Sequence, residues 1–88
     1  MLQQTQHIGI DIAKRDYVAA ICLDGKFKTR KFSNDHEGHS RLVQWAKRLF
    51  SHDKIMFVME ASSTYGNNLA MFLFERDHPV AIVNPRPE

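Results

Sequence analysis

The sequence predicts a small mixed α/β domain built on one five-stranded sheet. Three observations carry this. Two apolar, β-favouring runs and a third, more polar one follow each other through short turns, one of them Asp24-Gly25. Two segments with helical apolar spacing then alternate with two short apolar runs, the pattern of strand–helix–strand units. The whole occupies 88 residues, enough for one core and close to the lower limit for a self-sufficient one.

Strand one is placed at His7–Ala13. Ile8, Ile10 and Ile12 share one face by the two-residue period, and His7, Gly9 and Asp11 share the other. Gly9 leaves room beside the strand for another backbone or a ligand. Lys14-Arg15-Asp16 is a polar turn, and Tyr17–Leu23 is a second strand rich in β-favouring residues. Asp24-Gly25 then signals a type I′ hairpin, which needs positive φ at both positions. Lys26–Phe32 returns as an edge strand whose Lys and Arg residues discourage stray pairing.

Ser33-Asn34-Asp35 breaks the strand and offers N-caps to a helix over His36–Ser51, with Leu42, Val43, Trp45, Ala46, Leu49 and Phe50 at helical spacing. Gly38 weakens the first turn, which a close approach to another backbone would explain. Ile55–Met59 is an unbroken apolar run, suited to a strand buried on both faces. Ala61-Ser62-Ser63-Thr64 is a loop of small residues. A second helix spans Tyr65–Arg76, with Tyr65, Leu69, Phe72 and Leu73 on its stripe, and Asp77-His78-Pro79 stops it. Val80–Val83 is the fifth strand.

A meander pairs neighbouring strands, and right-handed crossovers pair strands one, four and five in parallel. The simplest sheet order is therefore 3-2-1-4-5, with strands one, two and three antiparallel. Both crossovers move the same way across the sheet, so both helices lie on one face. The other face is left open, to be covered by further chain or by a second copy. Met71 and Phe74, off the main stripe of helix two, form a weaker second contact surface.

Composition narrows the class without deciding it. Twelve Lys and Arg against ten Asp and Glu give a net charge of +2, too balanced to announce a nucleic-acid footprint. The one cysteine, Cys22, lies in an apolar run and reads as a buried structural thiol in a reducing cytoplasm. The N-terminus lacks the pattern of a signal peptide, and no apolar run approaches membrane-spanning length.

The topology brings Asp11 and Glu60 to the same end of adjacent parallel strands, the end at which open α/β sheets bind ligands. Two carboxylates there can share Mg²⁺ or Mn²⁺, hard ions that take oxygen ligands and keep water or phosphate in their shell. On pattern alone, structural or solvated carboxylates are the commoner outcome.

The segments Gly9-Ile10-Asp11-Ile12-Ala13-Lys14, Met59-Glu60-Ala61-Ser62 with Tyr65, and Val80–Val83 followed by Asn84-Pro85 resemble the N-terminal part of the DEDD transposases of insertion-sequence family one-ten. Phe32, Asn34, Gly38, Leu42 and Trp45 sit where that family has its F-x-N…G…L…W segment. The resemblance covers nearly the whole chain. It implies a ribonuclease-H-like (RuvC-like) fold and a DNA recombinase acting in transposition by Mg²⁺-dependent strand cleavage and exchange. Four acids would bind the metal, with Asp11 as the first and Glu60 as the second. It places the third and fourth in a Lys-x-Asp-x-x-Asp-Ala segment after strand five, and a nucleophilic serine in a further domain. Residues 1–88 are accordingly expected to be one RuvC-like N-terminal domain, cut before the third and fourth acids and inactive by itself. The resemblance further implies DNA and a structured bridge RNA as partners, and a prokaryotic cytoplasm as the location. A homodimer or higher oligomer follows from the open sheet face.

One departure stands out. The family reads Glu-Ala-Thr-Gly where this chain has Glu60-Ala61-Ser62-Ser63. A Cβ at Ser63 is costly if the turn needs positive φ, by about 1 kcal/mol or more, and could aim Glu60 differently.

Other residues have plainer readings. Lys14 and Arg15 could meet phosphate, or form an exposed turn. Lys26, Lys28, Arg30 and Lys31 could line nucleic acid or protect an edge. His36 and His39 share an i, i+3 face, read as solvated rather than zinc-binding. Asp16 falls in the turn and ranks below Asp11. Trp45 and Tyr65 read as core anchors. Two other function classes stay open: a non-catalytic ribonuclease-H-like module acting through dimerisation or partner binding, and a sugar-kinase or actin-like ATPase fragment. Against the last, Ile12-Ala13-Lys14 provides no phosphate-cradling turn.

Overall fold

The structure, a computed structural model, describes residues 4–51, 53–60 and 64–83. The elements run β1 (Thr5–Ile12), β2 (Asp16–Leu23), β3 (Lys26–Ser33), α1 (His36–Leu49), β4 (Lys54–Glu60), a 3₁₀ turn (Thr64–Gly66), α2 (Asn67–Glu75) and β5 (Val80–Val83). They form one sheet in the order β3-β2-β1-β4-β5. β1 pairs antiparallel with β2 and parallel with β4, and β5 is parallel to β4. Order and sense are those the crossover argument requires.

Both helices cover the same face. Ile8, Ile10, Tyr17, Ala19, Ile21, Phe57 and Met59 point into the core, where they meet Leu42, Val43 and Ala46 of α1 and Leu69, Phe72 and Leu73 of α2. Trp45 packs against that core, half-buried, with its ring 5.6 Å from Phe32. The strand residues between these positions face the other way. His7, Gly9, Asp11, Val18, Cys22 and Glu60 are exposed there, and no described element lies over them.

Local chemistry explains the turns. Asp24 and Gly25 have φ of 51° and 78°, the two positive values a type I′ hairpin demands. Asp35 caps α1 by accepting the Gly38 N–H at 2.8 Å, and Ser33 Oγ donates to the same carboxylate oxygen at 2.8 Å. These two bonds hold the Asp35 carboxyl below its usual range. Gly38 is there for space: a Cβ would stand 1.8 Å from the Ser33 carbonyl oxygen. α2 ends in a Schellman arrangement, with the His78 N–H bonded to Leu73 O at 2.9 Å and Asp77 N–H to Phe74 O at 3.1 Å. Asp77, at φ 60°, takes the left-handed position usually given to Gly.

The structure corrects several expectations. Cys22 is exposed, because strand alternation puts it with Val18 and Ala20 on the uncovered face. β4 is buried on one face only: Phe57 and Met59 are in the core, whereas Met56 and Val58 are half-buried by neighbouring strands. Tyr65 lies in the 3₁₀ turn before α2, off the helical stripe, and is exposed rather than a core anchor. Asp16 opens β2 instead of lying in the turn, and its carboxylate pairs with Lys31 Nζ at 3.2 Å. His36 and His39 do not share a solvated face. His39 is 2% exposed and continues the buried stripe of Leu42, Val43 and Ala46.

His39 Nδ1 lies 3.0 Å from the Tyr17 hydroxyl. The Tyr17 ring is parallel-displaced against the imidazole at 5.7 Å, and Phe72 meets the imidazole edge-on at 5.4 Å. This polar pair is the joint between β2, α1 and α2. Burial pushes the His39 pKa down and the Tyr17 pKa up, so both are neutral at pH 7.

Candidate functional site

The open face carries a depression of about 640 Å³ over the central strands. Its depth comes from side-chain size. Gly9 of β1 stands opposite Ala20 of β2 and Val58 of β4, so the middle row across the sheet is low. A Cβ at Gly9 would meet nothing within 4 Å. The next row toward the strand ends is taller and charged. Asp11 stands opposite Val18, Val18 opposite Lys31, and Glu60 opposite Val83.

The β1–β4 ladder pairs Gly9 with Val58 and Ile10 with Met59. One step further along each strand gives Asp11 and Glu60. Both carboxylates line the depression, on the same sheet face, at the carboxyl ends of neighbouring parallel strands about 4.8 Å apart. Both are exposed, and neither has a hydrogen-bond or ion-pair partner among the described residues. Carboxylates on neighbouring strand ends can share a cation. Oxygen donors without imidazole or thiolate suit a hard ion such as Mg²⁺ or Mn²⁺. Two carboxylates make only part of a coordination shell. Among the described residues no group of three or more His, Cys, Asp or Glu could hold a metal ion.

The β1–β2 connection is short and exposed. Ala13 N–H bonds to Asp16 O at 2.8 Å, leaving Lys14 and Arg15 at the tip, immediately beyond Asp11. The expected departure at Ser63, with Ala61 and Ser62, lies outside the described residues, as do Asn84 and Pro85.

Other features lie away from the carboxylates. Arg30 of β3 and Arg41, Gln44 and Arg48 of α1 line a small pocket of about 180 Å³ over Phe32 and Trp45, on the helix-covered side. Arg41 is paired there with Glu37. Beside α2 and β5, Asn67, Ala70, Met71, Phe74, Val80 and Ile82 line an apolar groove of about 490 Å³. Phe74 is 75% exposed. Asn34, read from the sequence as one of three capping candidates, leaves the cap to Asp35 and bonds elsewhere. The sequence signal for it was its place in the F-x-N…G…L…W segment shared with the transposase family.

A mixed sheet in this order, with acids at the carboxyl ends of its first and fourth strands, defines a ribonuclease-H-like domain. Within that class the chain belongs to the IS110-type DEDD transposases: residues 8–87 match the model of that family, described as transposase. It is similar to the pilin gene-inverting protein of Moraxella bovis, at 31% identity over 80 residues, which is 90% of this chain and 25% of that protein. The pilin gene-inverting protein of Moraxella lacunata is 30% identical over 80 residues, with the same shares of 90% and 25%. The chain therefore spans about a quarter of the length of the curated relatives it matches. Among the described residues no helix is long and apolar enough to cross a membrane.

Proposed function

We propose that this domain is the nuclease-like part of a DNA recombinase, in which Asp11 and Glu60 hold a divalent cation against a DNA phosphodiester. The observation that supports this most is the placement of both acids, unpaired, at adjacent positions on the uncovered sheet face. The bound ion, Mg²⁺ or Mn²⁺, would polarise the phosphoryl oxygen and lower the pKa of an attacking water or hydroxyl. The chain's own part is to fix the two carboxylates on rigid strand ends. The low row of Gly9, Ala20 and Val58 beside them leaves room for a ribose-phosphate segment. Lys14 and Arg15, at the tip beyond Asp11, neutralise neighbouring phosphates.

Two acids do not fill the shell of such an ion, and water and the DNA phosphate would take further places in it. Family membership and the plain Lys14-Arg15 hairpin turn set aside the sugar-kinase and actin-like reading. The relatives' name, gene-inverting, describes a rearrangement of DNA and agrees with a recombinase. A structured RNA partner belongs to the same reading, as does a prokaryotic cytoplasm. Self-association through the groove of Met71, Phe74 and Ile82 would give it a second copy.

Mg²⁺ titration of the isotope-labelled chain tests the site. Amide signals of residues 9–12 and 58–60 should shift together, and Asp11→Asn or Glu60→Gln should abolish the shifts while leaving the denaturation midpoint unchanged. Absence of shifts in the wild type at tens of millimolar Mg²⁺ overturns the metal reading. The 88-residue chain should bind DNA without cleaving it, and robust Mg²⁺-dependent cleavage by it would contradict the shared-ligand argument.

A further inference from the structure

The parallel ladder between β1 and β4 reaches its last pair at Ile10 and Met59. Beyond it β1 runs on through Asp11 to Ile12 and β4 ends at Glu60. Asp11 is held in the ladder with β2 and Glu60 in the ladder with β5, so their mutual spacing past the last β1–β4 pair also depends on contacts between the segments that follow them. Asn34, at the junction of β3 and α1, joins those segments. Its side-chain Nδ2 donates to Ala13 O at 3.1 Å, in the turn after Asp11, and to Tyr65 O at 2.8 Å, in the turn after Glu60. Lys14 O lies 3.4 Å from the same nitrogen, and the Asn34 main-chain N–H donates to Arg15 O at 2.9 Å. The 3₁₀ turn also rests on both strand ends: a Cβ on Gly66 would stand 3.1 Å from Met59 Sδ and 3.6 Å from Ile12 Cγ1.

We propose that Asn34 is the positioning residue of the carboxylate pair, its amide clamping the turn after Asp11 to the turn after Glu60 so that both acids face one cation. The proposal rests on the reading of Asp11 and Glu60 as cation ligands. Residue chemistry explains why Asn stands here. A planar –NH₂ carries two protons that diverge toward two different carbonyls. Asp has no proton to give at neutral pH, Ser has one, and Gln sets its amide one methylene further out. The neighbour Asp35 takes the cap of α1, which leaves the Asn34 side chain available for the clamp. The clamp spans 21 residues to Ala13 and 31 to Tyr65, so it fixes tertiary placement and contributes nothing to any single element.

Line broadening by Mn²⁺ in the labelled chain tests this. In the wild type, signals at Asp11 and Glu60 should broaden with one midpoint, and the Asn34 side-chain NH₂ signals should exchange slowly with solvent. In Asn34→Ala the midpoint should rise about fivefold or more, and the two acids should no longer share it. Asn34→Ser, which retains one donor, should fall between and covers the case in which the alanine variant does not fold. A purely structural residue would lower the melting temperature and leave the Mn²⁺ midpoint of the folded chain unchanged; that result overturns the proposal. Rapid exchange of the Asn34 NH₂ protons in the wild type would overturn it as well. Absence of wild-type broadening at both acids is a different failure, of the cation reading itself.

Discussion

Replacing Gly38 with alanine sets two physical effects against each other. Gly38 is the third residue of α1, and helix propensity alone favours alanine at such a position by about 1 kcal/mol. The new Cβ, however, would sit 1.8 Å from the Ser33 carbonyl oxygen and 2.7 Å from its carbonyl carbon. Both are main-chain atoms of β3, next to the Phe32 that packs into the core, and cannot swing aside as a flexible side chain would. Ordinary carbon–oxygen contact is about 3.5 Å, so strand end and helix start must separate by more than 1 Å. Overpacking of this kind costs about 1–3 kcal/mol, and a clash with backbone belongs at the upper end. The same movement strains the bond from Gly38 N–H to Asp35, in the same direction. Net destabilisation of about 2 kcal/mol is expected, a fall of roughly 8–16 °C in melting temperature for a domain of this size. Urea denaturation of wild type and Gly38→Ala measures it. A variant as stable as the wild type, or more stable, would refute the close approach and leave propensity as the governing effect.

Two further outcomes follow from the core and the surface. Burial lowers the His39 and His78 pKa values, so the unfolded chain takes up protons that the folded chain resists. Stability should be full above pH 6.5 and decline as pH falls below it, by at most about 1.4 kcal/mol per pH unit for each histidine. The groups facing His39 are Tyr17, Asp35 and His36, of which the Asp35 carboxylate moderates the effect and protonated His36 sharpens it; a flat stability profile between pH 7 and pH 5 would contradict the burial. At the α2–β5 groove, Phe74→Lys should shift sedimentation toward a smaller species without lowering the melting temperature, because Phe74 is 75% exposed. Identical sedimentation of wild type and variant would exclude that groove as a contact between copies.

The legible parts of the site were those that depend on chain order. Asp11 and Glu60 could be placed side by side from the sequence, since strand period, crossover hand and register leave few alternatives. Asn34 could not be assigned its bonds: its partners lie 21 and 31 residues away, and any of Ser33, Asn34 and Asp35 has the chemistry to cap α1. Cys22 and Val58 misled because an apolar run reads as buried. Whether a face is covered depends on where the helices go, and here both went to the other side. His39 shows the converse: a polar, titratable residue reads as solvated, yet three residues before Leu42 it falls on the buried stripe of Leu42, Val43 and Ala46.

The sequence by itself determined the order of elements, the type I′ hairpin at Asp24-Gly25, the sheet order and the carboxylate pair, because periodicity, turn chemistry and crossover handedness are local or topological rules. Only the tertiary structure decided that the low row of Gly9, Ala20 and Val58 forms a depression beside Asp11 and Glu60. It alone decided that the Tyr17 hydroxyl pairs with His39 Nδ1 in the core, and that Asn34 bridges the two turns. Each of these is a meeting of side chains or carbonyls from distant segments, fixed by three-dimensional packing and hydrogen-bond geometry that no spacing along the chain encodes.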